Sequence, residues 1–330
     1  MQYRPAVLDA SEKAEISTQI AGEDGSLPFG QQVTLVEPSL DGSTFSVVLD
    51  ETVSSSMRLD VSALKAEIAS RVDERVEVTI DIGPPVEAAV RNHAANPSTF
   101  GGAVMRRTGT TAICTTGFRM TQISGNVPVM GSAHHCHEGV ENQAWHYTSL
   151  PDPVYPVANA TSIYGPGLSN GDVSVWKGPM ADHMLPAIFI GDHTVAGSGL
   201  YGIRGALASP VGATVCYSGS LSGTMCNNTI QATGLTVCYG GGLPCYNNIV
   251  RTEQATGMPA AGRGDSGGPV YRTNNGIYAA GIISGIVNAT PTCSGEPGSS
   301  APNGRICSPI VLYAPITELM SNGYGINVVP

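Results

Sequence analysis

The chain has 330 residues, including 41 glycines and 23 prolines, and only 13% of them are charged. That length allows about two domains, and a composition so rich in turn formers and poor in charge argues against a helical bundle and for many short strands. A formal net charge of −10 with no Lys/Arg cluster argues against a partner read through its phosphates, and no apolar run reaches the ~18 residues a membrane-crossing helix needs.

Taken in chain order, Met1 to Ala6 lack the apolar centre of a signal peptide. Thr44 to Leu49 is predicted as a strand and Ser62 to Val72 as a helix, on which Leu64, Ile68 and Val72 recur on one face and Ser62 caps the start. A second strand is predicted at Val76 to Ile80. Strand, helix and strand together make a small α/β unit, and no cysteine precedes Cys114. A boundary is placed in the stretch Asn96 to Gly102, giving residues 1–100 as a propeptide-like or accessory region and 101–330 as a second domain. From about residue 103 onward short apolar segments alternate with Gly, Pro, Asn and Ser, the pattern of a closed or packed all-β domain. Tyr313 to Met320 is predicted as the last strand running into a short helix that stops at Gly323.

Three stretches of the second domain carry chemistry. Ser132-Ala133-His134-His135-Cys136 puts two histidines beside a cysteine. A metal cluster is the competing interpretation, but adjacent side chains seldom converge on one ion and no second ligand pair lies nearby, so no metal or cofactor is expected. Ser169 to Trp176 reads as a loop that delivers Asp172 to the start of an alternating strand. Gly264-Asp265-Ser266-Gly267-Gly268-Pro269 places a serine in a glycine-rich turn where its hydroxyl and neighbouring backbone N–H groups face one point. A serine hydroxyl is a poor nucleophile at its own pKa, so Ser266 requires a base.

These stretches resemble those of the chymotrypsin-like serine proteases, most of all the bacterial streptogrisin and alpha-lytic branch. The resemblance implies two six-stranded antiparallel β-barrels, with the chain order His, Asp, Ser. It assigns the base to His135, because the family's histidine directly precedes a cysteine, and the nucleophile to Ser266. Asp172 is the third member, preferred over Asp182 and Asp192, which lack the apolar alternation that follows it. The backbone N–H groups of Gly264 and Ser266 would form the oxyanion hole. Ala260 and Ala261 would form the base of the primary pocket, with Arg263 at its rim and Ser284, Gly285 and Ile286 on the strand that binds substrate. No carboxylate lies at that base, so small or medium apolar side chains are expected there rather than Lys or Arg.

Eight cysteines in near-neighbour pairs suit an oxidising compartment. The resemblance implies Cys114 with Cys136 and Cys216 with Cys226; proximity alone pairs Cys238 with Cys245 and Cys293 with Cys307. Gly262 stands where the family commonly has a cysteine, so the bridge that braces this wall is absent or replaced by the Cys293 to Cys307 loop. Asp265 would pair with an arginine, as in bacterial relatives, or with a new amino terminus. Sequons at Asn159, Asn227 and Asn288 matter only in a glycosylating cell. The resulting expectation is a secreted, monomeric serine endopeptidase with its leader removed. It acts on proteins or peptides and engages neither nucleic acid nor membrane, and its own pro-region serves as inhibitor or chaperone. The alternatives are an inactive binding module of the same fold and an esterase using the same three residues.

Overall fold

The computed structural model describes residues 8–21, 33–39, 41–50, 61–70, 72, 75–83, 99–107, 113–137, 145–146, 156–157, 160–162, 169–177, 184–191, 199–240, 243–295 and 304–329. Asp182, Asp192, Asn159 and residues 96–98 of the expected boundary segment lie outside them. The chain divides into two compact units: Met1–Val86 with Gln231–Arg251, and Glu87–Ile230 with Thr252–Pro330. Residues 231–251, assigned by the sequence to the second domain, thus belong to the first unit.

The first unit opens on the helix Ala10–Ala21. Its start is a reciprocal cap: Asp9 Oδ1 accepts the backbone N–H groups of Ser11 and Glu12 at 2.8 and 2.9 Å, and Glu12 Oε2 accepts the Asp9 N–H at 2.8 Å. Ile16 and Ile20 bury its apolar face. The antiparallel strands Val33–Pro38 and Thr44–Asp50 follow, joined by a turn in which Asp41 accepts from the Ser43 N–H and from the Ser43 and Ser39 hydroxyls. Those bonds favour the charged carboxyl, whose pKa falls to about 2. Thr44–Asp50 then pairs in parallel with Glu77–Gly83, and the intervening helix Val61–Ala69 makes the crossover that a parallel pair requires. Alternation in the strand turns Phe45, Val47 and Leu49 inward onto Leu64 and Ile68. On the other side Leu35 and Val36 pair with Val237 and Thr236, and the Cys238–Cys245 disulfide closes the hairpin within the same core.

The second unit is built from strands. One five-stranded sheet runs in the order Ala160–Ser162, Ser174–Trp176, Val127–Ser132, Arg119–Gln122, Tyr324–Ile326. Its register sets Ser174 opposite Ser132 and Val175 opposite Gly131, so the chain leaving one strand toward His135 emerges beside the chain entering the other from Asp172. Elsewhere Pro269–Thr273, Ile277–Val287 and Ile310–Pro315 form successive antiparallel pairs. The short pair Ala261–Gly262 with Cys307–Ser308 flanks the Ser266 turn. Strand-rich architecture with a short C-terminal helix, Thr317–Ser321, is the expected class.

Candidate active site

His135 opens a short 3₁₀ turn, His135–His137, immediately after the strand that ends at Ser132. The Cys114–Cys136 disulfide ties this turn to the strand Ile113–Thr115. Thr115 in turn reaches the serine: its backbone N–H donates to the Ser266 carbonyl at 2.7 Å and its hydroxyl to the Gly264 carbonyl at 3.1 Å. One bridged element therefore fixes both the histidine turn and the serine turn. The serine turn needs its glycines. Gly264 and Gly267 have φ of +93° and +85°, where other residues are strained, and a Cβ on Gly267 would lie 2.1 Å from Ser132 Oγ.

The three side chains meet. His135 Nδ1 lies 2.6 Å from Asp172 Oδ2, and His135 Nε2 lies 2.9 Å from Ser266 Oγ. With the Nδ1 proton held by the carboxylate, Nε2 presents its lone pair to the serine hydroxyl. The Ser284 carbonyl is a second acceptor for that hydroxyl, more distant at 3.3 Å. Asp172 is fully buried and accepts three bonds: from the His135 ring, from the His135 backbone N–H at 2.9 Å and from the Ser284 hydroxyl at 2.6 Å. Burial alone would raise its pKa, but the electrostatic pull of the adjacent His135 imidazole and these three donors outweigh it and hold the carboxyl below its ordinary value.

No family model and no curated protein matches the chain. Solved structures do. The chain is similar to bacterial serine proteases of known structure. Thermobifida fusca protease A is 24% identical with a TM-score of 0.48, the match covering 70% of this chain and 100% of that one. Nocardiopsis protease is 21% identical, TM-score 0.48, over 70% and 100% of the two chains. Cellulomonas bogoriensis chymotrypsin is 21% identical, TM-score 0.47, over the same shares.

Ala260 and Ala261 are fully buried next to the strand Cys307–Ser308, and half-buried Arg263 donates its backbone N–H to the Ile306 carbonyl at 2.8 Å. Gly285 pairs with Leu312, while Ile286 is fully buried opposite Val311. The disulfides are Cys114–Cys136, Cys216–Cys226, Cys238–Cys245 and Cys293–Cys307, the four pairs named above. Gly262 packs against Cys307, and a Cβ there would fall 2.1 Å from its sulfur, so the Cys293–Cys307 loop braces the wall where the sequence has no cysteine.

Two groups escaped the sequence. Arg305, carried on that disulfide-closed loop, is fully buried and pairs with Asp265 at 3.5 Å. It also donates to the Ser294 carbonyl and the Ser222 hydroxyl. The Asp265 carboxylate accepts the N–H groups of Leu221, Ser222 and Gly262 as well, so the residue preceding Ser266 is tied to two further segments. The alternative left open for Asp265 is answered by an arginine, on a loop with no motif to announce it. Ser284, expected on the substrate strand, also turns its hydroxyl onto Asp172. Among the described residues no cluster of His, Cys, Asp and Glu is arranged to hold a metal ion.

Proposed function

We propose that the chain is a serine endopeptidase that cleaves peptide bonds by acyl transfer, with His135, Asp172 and Ser266 as its catalytic residues. One observation carries this reading: a single imidazole is hydrogen-bonded on one nitrogen to a buried carboxylate and on the other to a serine hydroxyl in a glycine turn. Ser266 Oγ attacks the scissile carbonyl as its proton passes to His135 Nε2, and Asp172 stabilises the imidazolium so formed. The negative charge on the tetrahedral oxygen is met by the N–H groups of Gly264 and Ser266. His135 then gives its proton to the leaving amine, whose bond to the carbonyl carbon breaks. Water, deprotonated by the same imidazole, attacks the acyl-enzyme and releases the acid and Ser266.

The primary pocket, bounded by Ala260, Ala261, Arg263, Ser284, Gly285 and Ile286, takes small or medium apolar side chains. A buried cationic side chain would find no carboxylate at its base, so Lys and Arg are disfavoured. The substrates are proteins or peptides, the enzyme is secreted and monomeric, and the four disulfides are in keeping with export. Residues 1–100 act as a pro-region, a role supported by the way Val33–Pro38 adds a strand to the hairpin 231–251.

The test is covalent labelling. An organophosphorus reagent is expected to modify Ser266 stoichiometrically and abolish hydrolysis of Ala, Leu or Phe peptide substrates. Ser266→Ala should lower kcat by on the order of 10⁶. A chain that folds but neither labels nor cleaves is an inactive module, and one that cleaves esters but no peptide is an esterase; either result overturns the proposal.

A further inference from the structure

Acyl transfer uses the Asp172 carboxylate, but nothing in that chemistry explains the polar cluster behind its backbone. Ser169 makes a single β-bridge, and residues 170–172, which follow it, lie outside any strand, so their backbone depends on local partners. Ser169 is buried, and its hydroxyl oxygen accepts the Gly171 N–H at 2.9 Å. The same hydroxyl donates to Glu318 Oε2 on the C-terminal helix Thr317–Ser321. Gly171 lies flat against that carboxylate side chain: a Cβ there would come within 2.8 Å of Glu318 Cγ. Asp172 is the next residue.

The same helix touches the other parts of the site. Leu319, fully buried, packs on Gly131, where a Cβ would lie 2.9 Å from Leu319 Cδ1. Gly131 is in the strand that leads to His135 and pairs with Val175 of the strand that follows Asp172. At the helix start the Ile316 N–H donates to the Ala280 carbonyl at 2.9 Å, anchoring it to the strand Ile277–Val287 that carries Ser284. A helix of one and a half turns thus bears on all three elements that meet at the Asp172 carboxylate.

We propose that the C-terminal helix is a positioning device for the His135–Asp172 pair, and that Glu318, acting through Ser169, is the residue that holds the Asp172 loop at its working distance from the imidazole. This rests on the reading of His135, Asp172 and Ser266 as the catalytic residues. Glu318 is a positioning residue: it touches neither substrate nor reacting atoms, and its carboxylate fixes a hydroxyl that fixes a backbone. Glycine at 171 and serine at 169 are required because a larger residue at either position would push the loop away from the helix.

The experiment compares Glu318→Ala, Glu318→Gln, Ser169→Ala, the Ser169→Ala/Glu318→Ala pair and, as a control on the helix itself, Ser321→Ala, whose exposed hydroxyl donates to the Glu318 backbone carbonyl. Glu318→Ala and Ser169→Ala should each lower kcat by on the order of ten- to a hundredfold while KM stays within about twofold. The double variant should be no slower than either single one, because both remove one chain of contacts. Glu318→Gln should recover most of the rate, since its amide oxygen accepts the same bond. Ser321→Ala should leave the rate unchanged. The proton NMR signal of His135 Nδ1–H, which needs no substrate, should shift or broaden in Glu318→Ala and Ser169→Ala and stay in place in Ser321→Ala. Native kcat in both single variants, multiplied losses in the double variant or an unmoved Nδ1 signal would each overturn the proposal. Should Glu318→Ala not fold, Ser169→Ala and Glu318→Gln carry the same comparison. If the parent chain cleaves no peptide yet the Nδ1 signal responds as described, the endopeptidase reading fails and the positioning role stands.

Discussion

At the scale of single residues, Asp172 concentrates the most physics. A fully buried carboxylate costs several kcal/mol of lost hydration unless its charge is matched, and here the imidazole, a backbone N–H and the Ser284 hydroxyl all converge on it. Despite its burial, the His135 imidazole and these hydrogen bonds hold its carboxyl below the ordinary aspartate value. A depressed folded-state value means that Asp172 stabilises the fold above the unfolded value and that this contribution is lost as pH falls through the folded one. Melting temperatures of the wild type should therefore drop on acidification below the unfolded aspartate value of about 3.9 more steeply than those of Asp172→Asn, which has no charge to lose. In activity the same variant should lose on the order of 10⁴ in kcat, because an amide favours the wrong imidazole tautomer. An equal acid slope in both proteins would remove Asp172 from this role. Ser266 and His135 could be picked out from the sequence because each lies in a contiguous stretch whose local geometry is set by near neighbours. The Ser284 hydroxyl could not, since the residue it serves is 112 positions away.

The elements that hold those residues are braced by contacts of the same long range. Arg305 and Asp265 form a buried pair 3.5 Å apart, with both side chains at 0% exposure. Removing one partner strands the other's charge, so Arg305→Leu should destabilise the fold by about 3–5 kcal/mol in denaturant unfolding. The Arg305→Leu/Asp265→Leu pair should cost less than the sum of the single losses. Opening the loop that carries Arg305 by Cys293→Ala/Cys307→Ala should cost about 3 kcal/mol and slow acylation of Ser266, measured by the rate of organophosphorus labelling. Unchanged labelling would detach the loop from the serine turn. Legibility was uneven among the helices. Leu64 and Ile68 reveal Val61–Ala69 at a spacing of four, and the structure ends that helix three residues short of Val72. The helix Ala10–Ala21 passed unremarked because Ile16 and Ile20 alone mark its apolar face among Ala, Ser, Lys and Glu. Its reciprocal cap, Asp9 with Glu12, was the readable sign.

For the whole molecule, the assignment of residues 231–251 to the first unit matters most. The core that Leu8, Ile16, Ile20, Val36 and Phe45 enter also contains Cys238 and Cys245, so residues 1–86 do not complete that core by themselves. A chain starting at residue 99 would leave the backbone edge at Thr236 and Val237 unpaired, and unpaired edges template association. Its refolding yield should fall and its light scattering rise, and residues 1–86 added as a separate polypeptide should restore both. Full yield without them would argue against a pro-region role.

Contiguous sequence by itself determined what neighbouring residues can settle: the strand-rich class, the glycine-rich serine turn Gly264 to Pro269, the histidine beside Cys136 and the near-neighbour cysteine pairs. Only the tertiary structure decided that Arg305 answers Asp265, that Ser284 and His135 share Asp172, that Glu318 grips the loop 169–171, and that a late hairpin belongs with the first unit. The physical reason is the same in each case. Turn geometry and alternation are local, whereas a buried charge takes whichever partner the packed chain brings within reach.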